Sequence, residues 1–258
     1  MKPHTVNTLP TLFITGAGRR LGLHLAEHYL SQGWRVIAHY HSSNELAESL
    51  QIQYQAEGRY LSVQADLGSM NDIECLVKQV NQYLHTNSIA LDAIIHNASC
   101  FWPDDRSQSL TTQWQQSERL HAVHVLAPQA LSSGLVERIK PQGSIIAITD
   151  IYAELPNGRF ASYCSAKAGL QNLALSWAQQ YAPQVRVNII QPGPIKFLPE
   201  HSESYQKMVL SQSLLGRELG YEPIQQGIDY LIKATALTGS IVKIDGGRST
   251  ANRYQQQG

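Results

Sequence analysis

The chain has 258 residues, a formal net charge of zero and no block of like charges, so nothing in it indicates binding to nucleic acid or to an anionic membrane. No apolar run approaches the ~20 residues of a spanning helix, and residues 1–10 lack the apolar stretch of a signal peptide. The three cysteines, Cys75, Cys100 and Cys164, show no metal-ligand spacing. We therefore expect free thiols, a cytoplasmic protein and no bound metal.

Apolar, β-branched runs alternate with helical patterns along the chain. Strands are predicted at residues 11–15, 34–40, 59–66, 91–98, 143–150, 185–193 and 239–247. Helices are predicted at residues 20–33, 45–58, 71–86, 111–138, 161–181 and 224–234, the third opened by Asn71 as N-cap. Because this alternation requires crossover connections, it predicts a single α/β domain with a doubly wound, Rossmann-type parallel sheet covered by helices on both faces. The polar stretch of about residues 193–222 breaks the rhythm and is predicted to cover a site.

A glycine-containing turn, "TGAGRRLG" at residues 15–22, follows the first strand and opens the first helix. Glycines let backbone amides approach a pyrophosphate, and the helix N-terminus adds partial positive charge. An ordinary strand-to-helix turn is the alternative, but the position after strand one favours a dinucleotide site. Arg19 and Arg20 suggest more negative charge than a pyrophosphate carries.

The second strand ends in "HYHSSN" at residues 39–44, with no carboxylate. An NAD site would hold an acid there to bind the ribose 2′-hydroxyl. Arg20, His41, Ser42 and Ser43 could instead bind a 2′-phosphate. A solvated loop is the alternative; we predict an NADP(H) cofactor.

Tyr163 and Lys167 lie four residues apart on a predicted helix and therefore share a face. An ammonium group near a phenol lowers the phenol's pKa, which would make Tyr163 a usable acid near neutral pH. A surface pair is the alternative. "HNAS" (96–99) and "QPGP" (191–194) favour the catalytic interpretation, because both follow strands at the edge where such sheets bind ligands.

Together these motifs resemble those of the short-chain dehydrogenase/reductase family, over residues 11–247. The resemblance implies that residues 11–110 mainly bind the cofactor and that residues 111–250 carry the catalytic and oligomer-forming parts. Tyr163 would donate a proton, while Lys167 would hold the nicotinamide ribose and tune Tyr163. Asp66 and Leu67 would flank the adenine. The residues it assigns to the cofactor are Gly16, Arg19, Arg20, Leu21, Gly22, Tyr40, His41, Ser42, Ser43, Asp66, Leu67, Asn97, Ala98, Ser99, Tyr163, Lys167, Pro192, Gly193 and Ile195.

The chain departs from the family pattern at Asp150, where a serine is usual, and at His124, where an asparagine is frequent. An ionised carboxylate would repel a forming alkoxide by about 4 kcal/mol at ~4 Å and an effective dielectric near 20. That is roughly three powers of ten in rate, so ketone reduction is disfavoured and a C=N substrate is favoured. Asp150 could otherwise be a helix-capping acid or the mark of an inactive site.

Arg20, the run His39-Tyr40-His41, Asp150 and "NASCF" (97–101) resemble the pteridine reductase and dihydromonapterin reductase subgroup. The resemblance implies NADPH-dependent hydride transfer to C6 of a 7,8-dihydropterin, with dihydromonapterin favoured and dihydrofolate possible. It assigns the substrate to Ser99, Phe101, Asp150 and Tyr163, with Phe101 stacking the pterin ring. Phe101 could instead be core, and His124 a packed histidine.

Two other functions stay open: a carbonyl or 3-oxoacyl reductase of the same fold, and a non-catalytic NADPH-binding protein. Asp150 argues against the first, and the intact Tyr163–Lys167 pair against the second. The helix carrying Tyr163 also holds apolar residues at Leu170, Leu173, Ala174 and Trp177. Because family members pair through this helix, we predict a homotetramer.

Overall fold

The computed structural model describes residues 9–43, 50 and 52–251. Within them, parallel strands form one seven-stranded sheet in the order β3-β2-β1-β4-β5-β6-β7. The strands are β1 (Thr11–Ile14), β2 (Arg35–Tyr40), β3 (Tyr60–Gln64), β4 (Leu91–His96), β5 (Ile139–Ile148), β6 (Val185–Pro192) and β7 (Ile241–Ile244). The order reverses between β1 and β4, which confirms the predicted doubly wound sheet.

Seven α-helices are described in full. They are α1 (Arg20–Ser31), α2 (Met70–Thr86), α3 (Leu110–His121), α4 (Ala127–Leu135), α5 (Ala161–Tyr181), α6 (Glu203–Leu210) and α7 (Glu222–Lys233). About half of the helix predicted at residues 45–58 lies outside the described residues. None of the helices in the described ranges is long and apolar enough to cross a membrane.

Each face of the sheet has its own apolar core. Successive residues of β1 point to opposite faces, so Phe13 lies in one cluster while Leu12 and Ile14 lie in the other. Helices α2, α4 and α5 cover the first cluster, and α1 and α7 cover the second. Burial on both faces explains why the central strands are almost continuously apolar.

The apolar residues on α5 that motivated the homotetramer lie inside the protomer. Leu170, Ala174 and Trp177 are at most 2% exposed and belong to the first core cluster, against which Leu173 also packs. That reasoning is wrong, because the sheet of the same chain covers these residues; the tetramer itself stays a prediction. Large exposed apolar side chains instead include Leu110, Trp114 and Leu126.

Several element boundaries differ from the prediction. A π-helical turn at Ala122–Leu126 divides the helix predicted at residues 111–138 into α3 and α4. Helix α2 is capped by Ser69, whose hydroxyl accepts from the Asp72 amide, rather than by Asn71. Strand β5 starts at Ile139, and residues 193–222, which showed no helical pattern, contain α6.

A buried arginine fixes the C-terminal end of α7. The Arg186 guanidinium on β6 donates to the carbonyl oxygens of Leu231, Ile232 and Ala234 at 2.8–3.0 Å. The last carbonyl groups of a helix have no amide donor within the helix. The charge-assisted hydrogen bonds from Arg186 supply these groups with the partners that they would otherwise lack.

Candidate active site

The turn between β1 and α1 leaves no room for side chains at two of its glycines. A Cβ atom on Gly16 would lie 2.7 Å from the Ala98 Cα, and one on Gly22 would lie 2.0 Å from the Gly16 carbonyl oxygen. Gly16 has a φ of +69°, and Arg20 has a φ of +53° although it is not glycine. The left-handed conformation costs Arg20 about 1 kcal/mol. The sequence "TGAGRRLG" therefore forms the close-packed turn that was predicted.

A buried histidine that sequence reasoning treated only as part of a motif holds this turn. The backbone carbonyl of Ala65 can only accept, so His39 Nε2 donates to it at 3.0 Å. His39 Nδ1 then accepts from the Gly16 amide at 3.1 Å. Burial lowers the pKa of His39 to about 4, which keeps the ring neutral and this bonding pattern intact.

Thr15 and Asn97 join the turn to the end of β4. The Asn97 side-chain amide donates to the carbonyl oxygens of Thr15 and Gly16 at 2.9 and 3.0 Å. The Thr15 hydroxyl accepts from the backbone amides of Asn97 and Ala98 at 3.0 and 3.1 Å. Asn97 and Ala98 thus lie beside the turn, as predicted, but the Asn97 side chain supports the turn itself. Thr15 was missed as a positioning residue.

The N-terminus of α1 suits an anionic ligand. Its N-cap residue, Arg19, makes no side-chain cap hydrogen bond, whereas serines cap α2, α3 and α6. The segment after β2 packs directly on the turn, because a Cβ on Gly18 would lie 3.0 Å from the Ser43 Cβ and 3.1 Å from the Tyr40 Cβ. Residues 40–43 bring hydroxyl and imidazole groups to this point and no carboxylate. These residues fit a phosphate-rich dinucleotide.

Arg20 and Asp66, two of the predicted cofactor residues, bind partners within the chain. The Arg20 guanidinium donates to the Lys196 carbonyl oxygen at 2.7 Å, in the segment after β6. The Asp66 carboxylate accepts from the Gly68 amide at 2.8 Å and pairs with Arg119 at 2.6 Å. Burial acts to raise the pKa of Asp66, but the Gly68 amide and Arg119 outweigh it and hold the pKa below its usual range. Leu67 is buried beside them.

The C-terminal side of β5 brings the predicted catalytic residues together. The Tyr163 hydroxyl donates to Asp150 Oδ2 at 3.0 Å. Asp150 Oδ1 accepts from the Tyr152 amide at 2.8 Å and so caps the 3₁₀ turn Ile151–Ala153. Asp150 is therefore both a capping acid and a partner of the predicted proton donor.

Burial shifts the pKa values of this pair in a direction that the sequence did not indicate. It raises the pKa of Asp150, against the opposing effects of the Tyr152 amide, Lys167, Tyr163 and Arg248. Burial and the Asp150 carboxylate together raise the pKa of Tyr163 well above 10. The prediction of a lowered Tyr163 pKa is therefore wrong, because burial and the neighbouring Asp150 carboxylate both disfavour the phenolate.

Lys167 is buried behind this pair. Its Nζ donates to the Ile148 carbonyl oxygen at 3.0 Å and lies 5.8 Å from the centroid of the Tyr163 ring. Burial lowers the pKa of Lys167 to about 8, although Asp150 acts in the opposite direction. Lys167 therefore shares the helix face of Tyr163, as predicted from their spacing.

Ser99 and His124 extend the row on the other side of Tyr163. The Ser99 hydroxyl lies 2.9 Å from His124 Nε2, and the His124 ring meets the Tyr163 ring edge-on at a centroid distance of 5.5 Å. His124 is fully buried in the π-helical turn, and its Nδ1 lies 2.8 Å from the Leu120 carbonyl oxygen. The row therefore runs from His124 through Ser99 and Tyr163 to Asp150.

Phe101 lies beside this row and is not a core residue. It is 52% exposed. Its ring stacks on Phe160 at a centroid distance of 4.6 Å and meets Tyr163 edge-on at 4.7 Å. An exposed aromatic ring next to a proton donor suits a flat ring ligand. Phe160, which supports Phe101, carried no signal in the sequence.

The segment after β6 is held by the turn after β7. The Gly193 amide donates a hydrogen bond to the Ile244 carbonyl oxygen at 3.1 Å, and a Cβ on Gly193 would lie 2.9 Å from the Asp245 Cα.

The buried Arg248 donates to the Val209 carbonyl oxygen at 3.0 Å and to Gln212 Oε1 at 2.7 Å, which fixes the end of α6. Arg248 was missed because its partners are distant in sequence. Pro192 ends β6, and Ile195 packs against the second core cluster.

Comparison with known proteins shows which families this chain is similar to. The family model described as Enoyl-(Acyl carrier protein) reductase matches residues 16–249. A dihydromonapterin reductase of Klebsiella pneumoniae is 35% identical over 241 residues, covering 92% of this chain and 95% of that protein. A dihydromonapterin reductase of Escherichia coli is 32% identical, covering 93% and 96%.

Solved structures give the same picture. A short-chain dehydrogenase/reductase from Serratia marcescens has a TM-score of 0.82 at 26% identity, covering 93% of this chain and 98% of that one. The chain belongs to the short-chain dehydrogenase/reductase family. FolM alternative dihydrofolate reductase 1 from Brucella canis, complexed with NADP, has a TM-score of 0.85 at 26% identity, covering 97% and 98%.

Membership of the short-chain dehydrogenase/reductase family confirms the fold class and the family resemblance read from the motifs. The relatives named dihydromonapterin reductase also confirm the resemblance to that subgroup. The roles of individual residues stay predictions. The structure adds the row of side chains from His124 to Asp150. Its two end residues, His124 and Asp150, are the positions at which this chain departs from the family pattern.

Proposed function

We propose that this chain catalyses the NADPH-dependent reduction of a 7,8-dihydropterin to its tetrahydro form. Dihydromonapterin is the favoured substrate and dihydrofolate a slower one. The observation that carries the proposal is the hydrogen bond from the Tyr163 hydroxyl to the Asp150 carboxylate, beside the exposed ring of Phe101. The names of the similar proteins support the substrate class.

The cofactor prediction is confirmed at the level of NADP(H), because the similar Brucella canis structure contains NADP. In this chain the residues that would hold it are those of the turn after β1, the segment 40–43 after β2, and the ends of β4 and β6. When bound, NADPH supplies the hydride that adds to C6 of the dihydropterin.

Reduction of the C=N bond also requires a proton at N5. Tyr163 carries its proton at neutral pH, because its pKa is raised well above 10. The Asp150 carboxylate accepts a hydrogen bond from that hydroxyl and stabilises the positive charge that develops at N5. The proton reaches N5 from Tyr163 or from a water that Tyr163 and Asp150 position. Phe101 orients the flat ring by stacking.

The same carboxylate disfavours a carbonyl substrate. A ketone becomes an alkoxide, whose negative charge would form next to Asp150. Burial raises the pKa of Asp150, whereas the Tyr152 amide and Lys167 act against it and favour the ionised form. A carbonyl or 3-oxoacyl reductase is therefore the second outcome to be tested, and a non-catalytic NADPH-binding protein is the third.

The test is NADPH oxidation by the purified protein with dihydromonapterin, dihydrofolate and a panel of small ketones and 3-oxoacyl thioesters. We expect kcat/KM to be highest for dihydromonapterin. The Tyr163→Phe variant is the matched control, since it keeps the ring and loses only the hydroxyl; it should bind NADPH and lose turnover. Faster reduction of a ketone or thioester would overturn the proposal, as would NADPH binding without any turnover.

A homotetramer and a cytoplasmic location complete the proposal. The exposed apolar side chains of Leu110, Trp114 and Leu126 are available for subunit contacts. Light scattering at micromolar concentration should give the mass of four chains, and a monomer would contradict the assembly without affecting the chemistry.

A further inference from the structure

The hydrogen-bond roles along the row from His124 to Asp150 follow from its two ends. At one end, His124 Nδ1 faces the Leu120 carbonyl oxygen at 2.8 Å. A backbone carbonyl can only accept, so Nδ1 carries the hydrogen. His124 is 0% exposed, and within the described part of the chain its ring nitrogens face only Leu120 and Ser99. The ring is therefore neutral, and Nε2 can only accept.

The charged and titratable groups that act on the ring, among the residues the structure describes, also favour its neutral state. Burial lowers the pKa of His124 well below its ordinary value, and the neighbouring Lys167 and His121 act in the same direction. The Tyr163 ring meets the imidazole edge-on at 5.5 Å and adds no negative charge. Since Nε2 accepts, the Ser99 hydroxyl at 2.9 Å must donate to it.

We propose that His124 is a positioning residue that turns the Ser99 hydroxyl hydrogen away from the substrate, so that Ser99 meets its ligand only as a hydrogen-bond acceptor. At the other end of the row, the Tyr163 hydroxyl of the resting protein donates to Asp150. Ser99 Oγ, whose hydrogen is engaged by His124, presents only lone pairs to the ligand. At that point it favours an N–H donor, such as an amino group, over a carbonyl oxygen.

The location of His124 supports a positioning role. It lies within the five-residue π-helical turn Ala122–Leu126, between α3 and α4. Single π-helical turns inside α-helices are frequent at functional sites. The direction of the Ser99 hydroxyl does not depend on the substrate, whereas the selection of a 2-amino-4-oxopteridine ring rests on the proposed function.

The first experiment tests the direction of the hydrogen bond in the protein alone. Nitrogen NMR of histidine-labelled protein, assigned by comparison with a His124→Asn spectrum, reports the protonation of each ring nitrogen. We expect His124 to be neutral with hydrogen on Nδ1, and the Nε2 resonance to shift in Ser99→Ala. Hydrogen on Nε2 would overturn the proposal whatever the enzyme reduces.

The second experiment compares two ligands of the same shape, pterin and lumazine, in which an oxo group replaces the 2-amino group. Their Kd values are measured with NADP⁺ present. The matched variants are His124→Gln, whose side chain can place an acceptor near the position of Nε2, and His124→Asn, which keeps a donor near Nδ1 and has no group at Nε2. We expect wild type and His124→Gln to prefer pterin.

The preference for pterin should fall by about threefold to tenfold in His124→Asn, the effect of losing one neutral hydrogen bond. It should fall equally in Ser99→Ala, and the double variant should show no further loss. If His124 only fills space, His124→Asn should raise the Kd values of both ligands by the same factor and leave the preference for pterin unchanged. That result would overturn the proposal. If wild type binds neither ligand, the NMR result still decides the direction of the Ser99 hydroxyl, and only the pterin assignment fails.

Discussion

Replacing Asp150 by asparagine separates its two roles in the structure. The asparagine oxygen can still accept from the Tyr152 amide and cap the turn Ile151–Ala153. The amide nitrogen then faces the Tyr163 hydroxyl, which can no longer donate in that direction. The charge and one acceptor are lost while the shape of the side chain is kept.

The expected loss of activity follows from the distance between the Asp150 carboxylate and the nitrogen that is protonated. Asp150 Oδ2 lies 3.0 Å from Tyr163 Oη, so a protonating nitrogen bonded to that hydroxyl would be roughly 4–6 Å from the carboxylate charge. At an effective dielectric near 20, the Coulomb attraction at that separation is about 3–4 kcal/mol. Asp150→Asn should therefore lower kcat/KM for dihydromonapterin by about 10²–10³.

The assay measures kcat/KM for dihydromonapterin and for small ketones, with the Kd of NADPH as the control for folding of the cofactor site. NADPH affinity should stay within about twofold. Asp150→Ser, which places a donor hydroxyl at this position, should in addition raise ketone reduction above background. If Asp150→Asn reduced dihydromonapterin at the wild-type rate, Asp150 would be only a cap, and the argument from its charge would be refuted.

Four further outcomes are expected. The pKa of Lys167 is lowered to about 8, so its ammonium group loses its proton above that pH and kcat/KM should fall there. A plot of kcat/KM against pH that stays flat to about pH 10 would contradict a role for the ammonium group. Arg20→Ala should reduce the ratio of the NADH Kd to the NADPH Kd by about tenfold. An unchanged ratio would show that Arg20 only holds the Lys196 carbonyl oxygen and does not bind the 2′-phosphate. Arg248→Met should raise KM for the dihydropterin by about tenfold with a smaller change in kcat, because α6 loses its anchor; wild-type KM would exclude this role. Arg186→Met should lower the free energy of unfolding by about 3–5 kcal/mol, because three carbonyl oxygens at the end of α7 lose their donor. The urea midpoint reports this change, and an unchanged midpoint would show that α7 does not need this cap.

The sheet and its helices were predictable because their signals are local. The buried strands appear as short apolar runs, and most of the helices between them as periodic patterns. Helix α6 and the π-helical turn were not recognised, since α6 lies in a polar stretch and the π-helical turn continues the pattern of its neighbours. The N-cap of α2 was placed two residues late because Ser69 and Asn71 are both suitable caps, and only the hydrogen bond to Asp72 distinguishes them.

Some features of the candidate site could also be predicted from the sequence, and others could not. Motif spacing placed the glycine turn, Tyr163, Lys167 and Asp150 at one edge of the sheet, because each follows a strand or begins a helix in the chain itself. The pKa direction of Tyr163, the support of the turn by His39 and the anchoring of α6 by Arg248 depend on which groups meet across the fold. Burial and hydrogen-bond partners set these properties, and both are relations between residues far apart in sequence. The residues available for chemistry can thus be read along the chain, whereas the charge and hydrogen-bond direction that each one presents are decided only once the chain has folded.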